Sequence, residues 1–136
     1  MGLAEKASEP ITALSGGMKQ NAYLARALTQ NTSFILLDEP TTYLDVSRQI
    51  HLMQTLRQLA RDGRGIVCVM HDLALALSFA DSVAVLESGK LLMQNSPQFV
   101  CQSEILKTVF KTRVMFENGQ YRYDYGISCA ERKETP

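Results

Sequence analysis

Apolar and polar positions follow two rhythms along this chain. From Ser15 to Leu28, the apolar positions Ala22, Ala25 and Leu28 recur at helical spacing, with Tyr23 and Leu24 broadening the face. Ser15 is a good N-cap residue and is followed at once by two glycines. Asn31-Thr32-Ser33 breaks the helical pattern, and Phe34-Ile35-Leu36-Leu37 is then unbroken and apolar. Such a run predicts a strand buried on both faces, stopped here by Pro40. Beyond Asp45, a good cap, Val46, Ile50, Met53, Leu56 and Ala60 mark one stripe of a second helix, closed by Gly63 and Gly65. Ile66–Met70 predicts another short buried strand ending at His71, and Leu73, Ala76, Leu77 and Ala80 a third helix. Ser82–Leu86 and Leu91–Gln94 flank Ser88-Gly89-Lys90, a hairpin signal. Strand, helix, strand, helix, strand in this order predicts an α/β fold with at least partly parallel pairing.

The two ends read differently. Met1–Ala13 carries Glu5, Lys6, Glu9 and Pro10 and predicts a short helix running into a loop. Pro97–Phe110 reads as helix, and after Lys111 two alternating segments meet at Asn118-Gly119, a type I′ turn pair. Tyr121, Tyr123 and Tyr125 share one face of the second segment, as a stacking platform or, more in keeping with the pattern, packed onto the preceding helix. Cys129–Pro136 is expected to fray.

Composition narrows the class. At 136 residues and 46% hydrophobic, the chain suits one domain with a real core. Lys and Arg total 14, as do Asp and Glu, with no run of either sign, so charge supports neither a nucleic-acid surface nor a polybasic anchor. Cys68, Cys101 and Cys129 stand far apart without a CxxC pair, against both a disulfide framework and a zinc site. They read as small buried hydrophobes in a reducing cytosol. No apolar stretch approaches the roughly 20 residues that span a bilayer, and Met1–Ala13 has no signal-peptide core, so a soluble intracellular chain is expected.

Three segments carry candidate chemistry. In Leu14–Gln20, a serine cap with Gly16 and Gly17 places free N–H groups and a hydroxyl at the positive end of a helix, which suits a phosphate oxygen. Taken alone, Ser-Gly-Gly reads as a flexible helix start. In Phe34–Pro40, Asp38 and Glu39 sit at the C-terminal end of a strand, where open α/β sheets place ligands. One carboxylate can hold Mg²⁺ and its neighbour can act on an attacking water; alone, the pair reads as a solvated turn. His71 occupies the same sheet edge if the strands are parallel neighbours, and then suits a sensor of a terminal phosphate. His51 has no such context and reads as a surface residue.

In this order, the three segments resemble the second half of an ABC-type ATPase domain. Leu14–Gln20 is similar to the signature motif, Phe34–Pro40 to the Walker B strand with its glutamate, and Thr41–Asp45 to the loop that follows. His71 matches the switch histidine. The resemblance covers about the first two-thirds of the chain. Asp-Glu-Pro-Thr-Thr-Tyr-Leu-Asp and Gly-Gly-Met-Lys-Gln look most like importers of iron chelates, haem or cobalamin. Met18 departs from the glutamine commonest at its position. The resemblance implies a partial P-loop ATPase domain with the end of a helical subdomain in 1–31, an ATPase core in 32–95 and a helix with hairpin in 96–136. It implies ATP and Mg²⁺ as cofactors, Asp38 on Mg²⁺ through water, Glu39 polarising the attacking water and His71 on the γ-phosphate. Ser15, Gly16 and Gly17 would reach ATP held by the opposite subunit, and Asp45 would help join the two sites. Implied partners are a second ATPase subunit (a homodimer or a full-length copy) and an integral-membrane permease, with no nucleic acid; the place is cytoplasmic, peripheral on the inner membrane face.

No G-x-x-x-x-G-K-[ST] phosphate loop occurs in the chain. The family places that loop upstream of the signature, so the resemblance implies a C-terminal portion: a gene fragment, a truncated form or an internal start. Two alternatives follow, a catalytically inactive remnant that pairs with intact subunits, and an ABC-type ATPase of DNA repair or translation. The charge balance and the lack of long heptads weigh against the second.

Overall fold

The computed structural model describes residues 8–30 and 32–126. The first half of the helix expected in Met1–Ala13, Asn31 of the expected break, and the segment Cys129–Pro136 expected to fray lie outside the described residues. The chain divides into two compact units, Met1–His71 and Asp72–Pro136, and the division falls inside the segment 32–95.

In the first unit a 3-10 turn, Ile11–Ala13, leads to helix α1, Gly16–Thr29, then strand β1, Phe34–Asp38, helix α2, Val46–Arg61, and strand β2, Gly65–Val69. Both expected caps form. The Ser15 hydroxyl accepts the Met18 N–H at 3.4 Å and the Asp45 carboxylate accepts the Arg48 N–H at 2.9 Å, each satisfying a backbone donor that a helix start leaves free. Strands β1 and β2 pair in parallel from Phe34 opposite Gly65 to Asp38 opposite Val69, so both end at one sheet edge. Leu24, Ile35, Leu52, Met53 and Leu56 are buried.

Three details differ from expectation. The strands are not buried on both faces: Ile35 is 3% exposed, but Leu36 is 77% exposed and Phe34, Val67 and Val69 are also open. Side chains alternate across a sheet, and among the described residues one face is covered and the other is not. The buried stripe of α2 runs through Leu52, Met53 and Leu56, leaving Val46 and Ile50 exposed. Gly63, at φ +93°, follows the end of α2, whereas Gly65 opens β2, where a Cβ would collide with the Phe34 ring.

The second unit contains α3, Leu73–Phe79, β3, Val83–Glu87, β4, Lys90–Asn95, α4, Pro97–Gln102, α5, Ile105–Phe110, β5, Val114–Glu117, and β6, Gln120–Tyr123. Leu77, Val85, Val100, Leu106 and Val114 form its core, with Tyr121 and Tyr123 packed against it. Strand β3 pairs antiparallel with β4 and β5 with β6, so among the described residues parallel pairing is confined to β1 and β2. Both hairpins turn on residues of positive φ, Ser88-Gly89 at 50° and 74° and Asn118-Gly119 at 49° and 79°, the geometry that matches strand twist.

The helix expected over Pro97–Phe110 is broken in two. Ser103 is extended at ψ 156°, and its hydroxyl bonds back to the Val100 carbonyl at 2.7 Å, an alternative to continuing the helical ladder. The tyrosines divide as well. The Tyr123 hydroxyl accepts the Leu73 N–H at 2.8 Å and donates to Asp72 Oδ1 at 3.0 Å, seating the ring at the start of α3 rather than on the preceding helix. Tyr125 lies past β6 and is exposed. Cys68 and Cys101 are free thiols, half-buried, and burial pushes both pKa values up.

Candidate functional site

The parallel register levels the ends of β1 and β2. Asp38 faces Val69 across the ladder, and the Glu39 N–H extends it by donating to the Val69 carbonyl at 3.0 Å. Glu39 follows β1 and His71 follows β2 after one further residue, so the pairing brings together two side chains 32 positions apart. His71 Nε2 lies 2.6 Å from Glu39 Oε1, where an Nε2–H donates to the carboxylate. The other carboxylate oxygen, Oε2, accepts the Thr42 hydroxyl at 3.2 Å. Glu39 is thus aimed from two sides while 40% of its side chain remains open to solvent.

Asp38 ends β1 and is exposed. Among the described residues no three His, Cys, Asp or Glu side chains converge as a metal cage. A single open carboxylate beside a second suits Mg²⁺ that arrives on nucleotide phosphates with its own waters, the mode in which one or two carboxylates suffice.

The turn after Glu39 is held in an unusual backbone. Glu39 at φ 47° and Tyr43 at φ 66° are left-handed without being glycine, costing about 1–2 kcal/mol each. Pro40 and Thr41 are buried within this turn. The start of α1 packs against it: a Cβ on Gly16 would touch the Tyr43 Cβ at 3.7 Å, and one on Gly17 would press Arg48 Nη1 at 3.2 Å and Leu44 Cδ2 at 3.4 Å. Glycine there lets the helix start come close to the loop. Ser15 and Gly16 stay exposed and Gly17 is buried, so the serine hydroxyl faces solvent at the positive helix end. The Arg48 guanidinium lies beside Gly17, paired with the Asp45 carboxylate.

Ser15, Gly16, Gly17, Glu39 and His71 therefore all belong to one unit, in or against the elements around the Glu39 turn. Asp45 serves α2 instead: one carboxylate oxygen caps the helix and the other lies 3.3 Å from Arg48 Nε. His51 is exposed on α2, as expected of a surface residue. Sequence reasoning missed the contacts of Gln20, quoted only as the end of the Leu14–Gln20 segment, and those of Thr42 and Gln49. The Gln20 amide on α1 donates to the Pro40 carbonyl at 3.2 Å, and the Gln49 amide on α2 donates to the Thr41 and Leu44 carbonyls at 3.3 and 3.1 Å. A glutamine on a helix carries no sequence signal that separates an inward donor from a solvated side chain. A cavity of about 670 Å³ lined by Lys107, Lys111, Arg113 and Tyr125 lies in the second unit and contains none of the expected site residues.

The chain is similar to known proteins along most of its length. The family profile described as ABC transporter matches residues 1–42. The chain is 43% identical over 111 residues to the iron(3+)-hydroxamate import ATP-binding protein FhuC of Bacillus subtilis, covering 81% of this chain and 41% of the relative. It is 45% identical over 104 residues to the hemin import ATP-binding protein HmuV of Rhodococcus jostii, covering 76% of this chain and 36% of the relative. Among solved structures, a metal-chelate type ABC transporter in an inward-facing conformation superposes with a TM-score of 0.75 at 25% identity, over 91% of this chain and 53% of that one. The fold is that of part of an ABC-type ATPase domain, and the chain spans about two-fifths of the length of the curated relatives it matches.

Proposed function

From the premise that this chain is homologous to the ATP-binding subunits of ABC importers, we propose that it carries the signature, base and switch portion of a transport ATPase. The cargo class is an iron chelate, haem or cobalamin. The observation that supports the ATPase reading best is the 2.6 Å contact between Glu39 and His71 at the end of paired parallel strands. Phosphoryl transfer depends chiefly on positioning and on neutralising charge. In this reading His71 and Thr42 orient the Glu39 carboxylate, which takes the proton of the attacking water, and His71 contacts the γ-phosphate. Asp38 would hold Mg²⁺, which when bound would supply neutralisation of phosphate charge. Ser15, Gly16 and Gly17 present their hydroxyl and N–H groups to ATP on an opposite ATPase subunit, with Asp45 at the junction.

In the proposed assembly a second ATPase subunit and a membrane permease are the partners, at the inner face of the cell membrane. Among the described residues no helix is long and apolar enough to cross a membrane. The 136 residues contain no phosphate loop, and the chain alone is expected to hydrolyse no ATP. The lysine and amides that cradle the β- and γ-phosphates are absent from both copies of a homodimer.

The deciding experiment uses a full-length subunit that carries these residues. Glu39→Gln is expected to retain ATP binding and to lose turnover by about 10²–10⁴-fold, the span of general-base catalysis. Near-parent turnover would remove Glu39 from the role.

A further inference from the structure

Gln20 and Gln49 approach the same turn from two different helices. Gln20 reaches from α1 to the Pro40 carbonyl at 3.2 Å, one residue past Glu39. Gln49 reaches from α2, and its single Nε2 serves the Thr41 and Leu44 carbonyls at 3.3 and 3.1 Å, which occupies both of its hydrogens. Both side chains are half-buried, and Pro40, Thr41 and Leu44 are buried. The segment they grip contains both left-handed non-glycine residues of this loop, Glu39 at φ 47° and Tyr43 at φ 66°. Such conformations persist where the surroundings over-determine them. The turn's own bonds, Thr42 N–H to the Glu39 carbonyl at 3.1 Å and Leu44 N–H to the Thr41 carbonyl at 3.2 Å, leave the Pro40 carbonyl to Gln20.

We propose that Gln20 and Gln49 are positioning residues for Glu39, a two-helix amide brace that fixes the Glu39–Leu44 turn and so the direction of the carboxylate. The inference rests on the ATPase reading for its catalytic consequence, and on the three hydrogen bonds alone for its structural one. Neither glutamine touches the Glu39 carboxylate, whose contacts are His71 and Thr42. Removing the amide donors should therefore misdirect the base and leave its chemistry and the nucleotide contacts in place. The brace also links α1, which begins at the signature glycines, to the base-bearing turn through one side chain.

The test replaces Gln49 by Glu, which keeps the shape, removes both donors and turns an acceptor toward two carbonyls; Gln49→Lys restores a donor. Amide hydrogen exchange on this 136-residue chain reads the brace directly. In Gln49→Glu, protection at Glu39, Thr42 and Leu44 should fall about tenfold or more, while Leu24 in α1 and Leu77 in α3 keep the parent rates. Gln49→Lys should stay within about threefold of the parent at all five amides. Gln20→Glu, which deletes one of the three bonds, should give the same local pattern at smaller amplitude and carries the test if Gln49→Glu does not fold. Uniform loss of protection, or none, overturns the brace. In the full-length subunit, Gln49→Glu should lower kcat by about tenfold or more with KM for ATP held within about twofold, and Gln49→Lys should recover it. If the exchange pattern appears but the parent subunit hydrolyses no ATP, the brace stands and the ATPase reading falls. If the parent hydrolyses ATP and Gln49→Glu keeps its kcat, the positioning role falls.

Discussion

The two compact units both combine helices and short strands, yet α1 and α2 run 14 and 16 residues where α3, α4 and α5 run 7, 6 and 6, and the units are held together differently. Asp72–Pro136 surrounds a closed apolar cluster, with Val100 fully buried and Leu77, Val85, Leu106 and Val114 each 3% exposed. Met1–His71 has buried apolar residues as well, but it leaves Phe34, Leu36, Val67 and Val69 open on one side of its sheet. Its distinctive polar contacts are glutamine amides on the backbone carbonyls of the Glu39 turn and a histidine on a carboxylate. The candidate chemistry lies in the unit with the parallel strand pair; strands of the second unit also leave apolar residues open, at Leu86, Leu91 and Phe116. An unbroken apolar run specifies a strand that can be covered on both sides; it does not specify that both sides are covered.

The largest expected effect sharpens this contrast in stability. Leu77→Ala should destabilise the second unit by about 2–5 kcal/mol, the range for truncating a buried leucine. Leu36→Ala, at a residue 77% exposed, should change stability by no more than about 0.5 kcal/mol. Denaturant unfolding of the two variants decides it, and equal losses would break the comparison.

A smaller effect lies at the start of α3. Tyr123→Phe removes an acceptor for the Leu73 N–H and a donor to Asp72, leaving a part-buried N–H without its partner. The expected cost is about 1–3 kcal/mol. The same phenol makes the second unit sensitive to alkali. Burial first, and then the Asp72 carboxylate, raise the Tyr123 pKa above its ordinary value of 10.0. A raised folded-state pKa means that the stabilising contribution is fully present below the unfolded value. It is lost as pH rises through the folded one. Thermal unfolding followed from pH 9 upward should show that loss in the parent and less of it in Tyr123→Phe; parallel curves would contradict the assignment.

What was legible in the sequence was local. Ser15 and Asp45 announced their helices, and Ser88-Gly89 and Asn118-Gly119 their hairpins, because each signal acts within a few residues; the longer-range exception, parallel pairing of the two apolar runs, came from the order of elements. The shared edge that joins Glu39 to His71 followed from that pairing. Contacts set by tertiary structure were not legible. The Tyr123–Asp72 bond spans 51 positions, and Gln20 and Gln49 carry ordinary helix-surface residue types. Ser103 hid the break between α4 and α5 for a related reason: serine is tolerated within helices and ends one only when its hydroxyl finds a local carbonyl.

The central claim is that Glu39 and His71 act as one catalytic unit. A double-mutant cycle on ATP turnover in a full-length subunit tests it most directly, with Glu39→Gln, His71→Ala and the pair together. Residues that act as a unit are non-additive, so the double variant should be no slower than the slower single one. Losses that multiply, each single change lowering turnover by the same factor in either background, would show two independent residues and contradict the account.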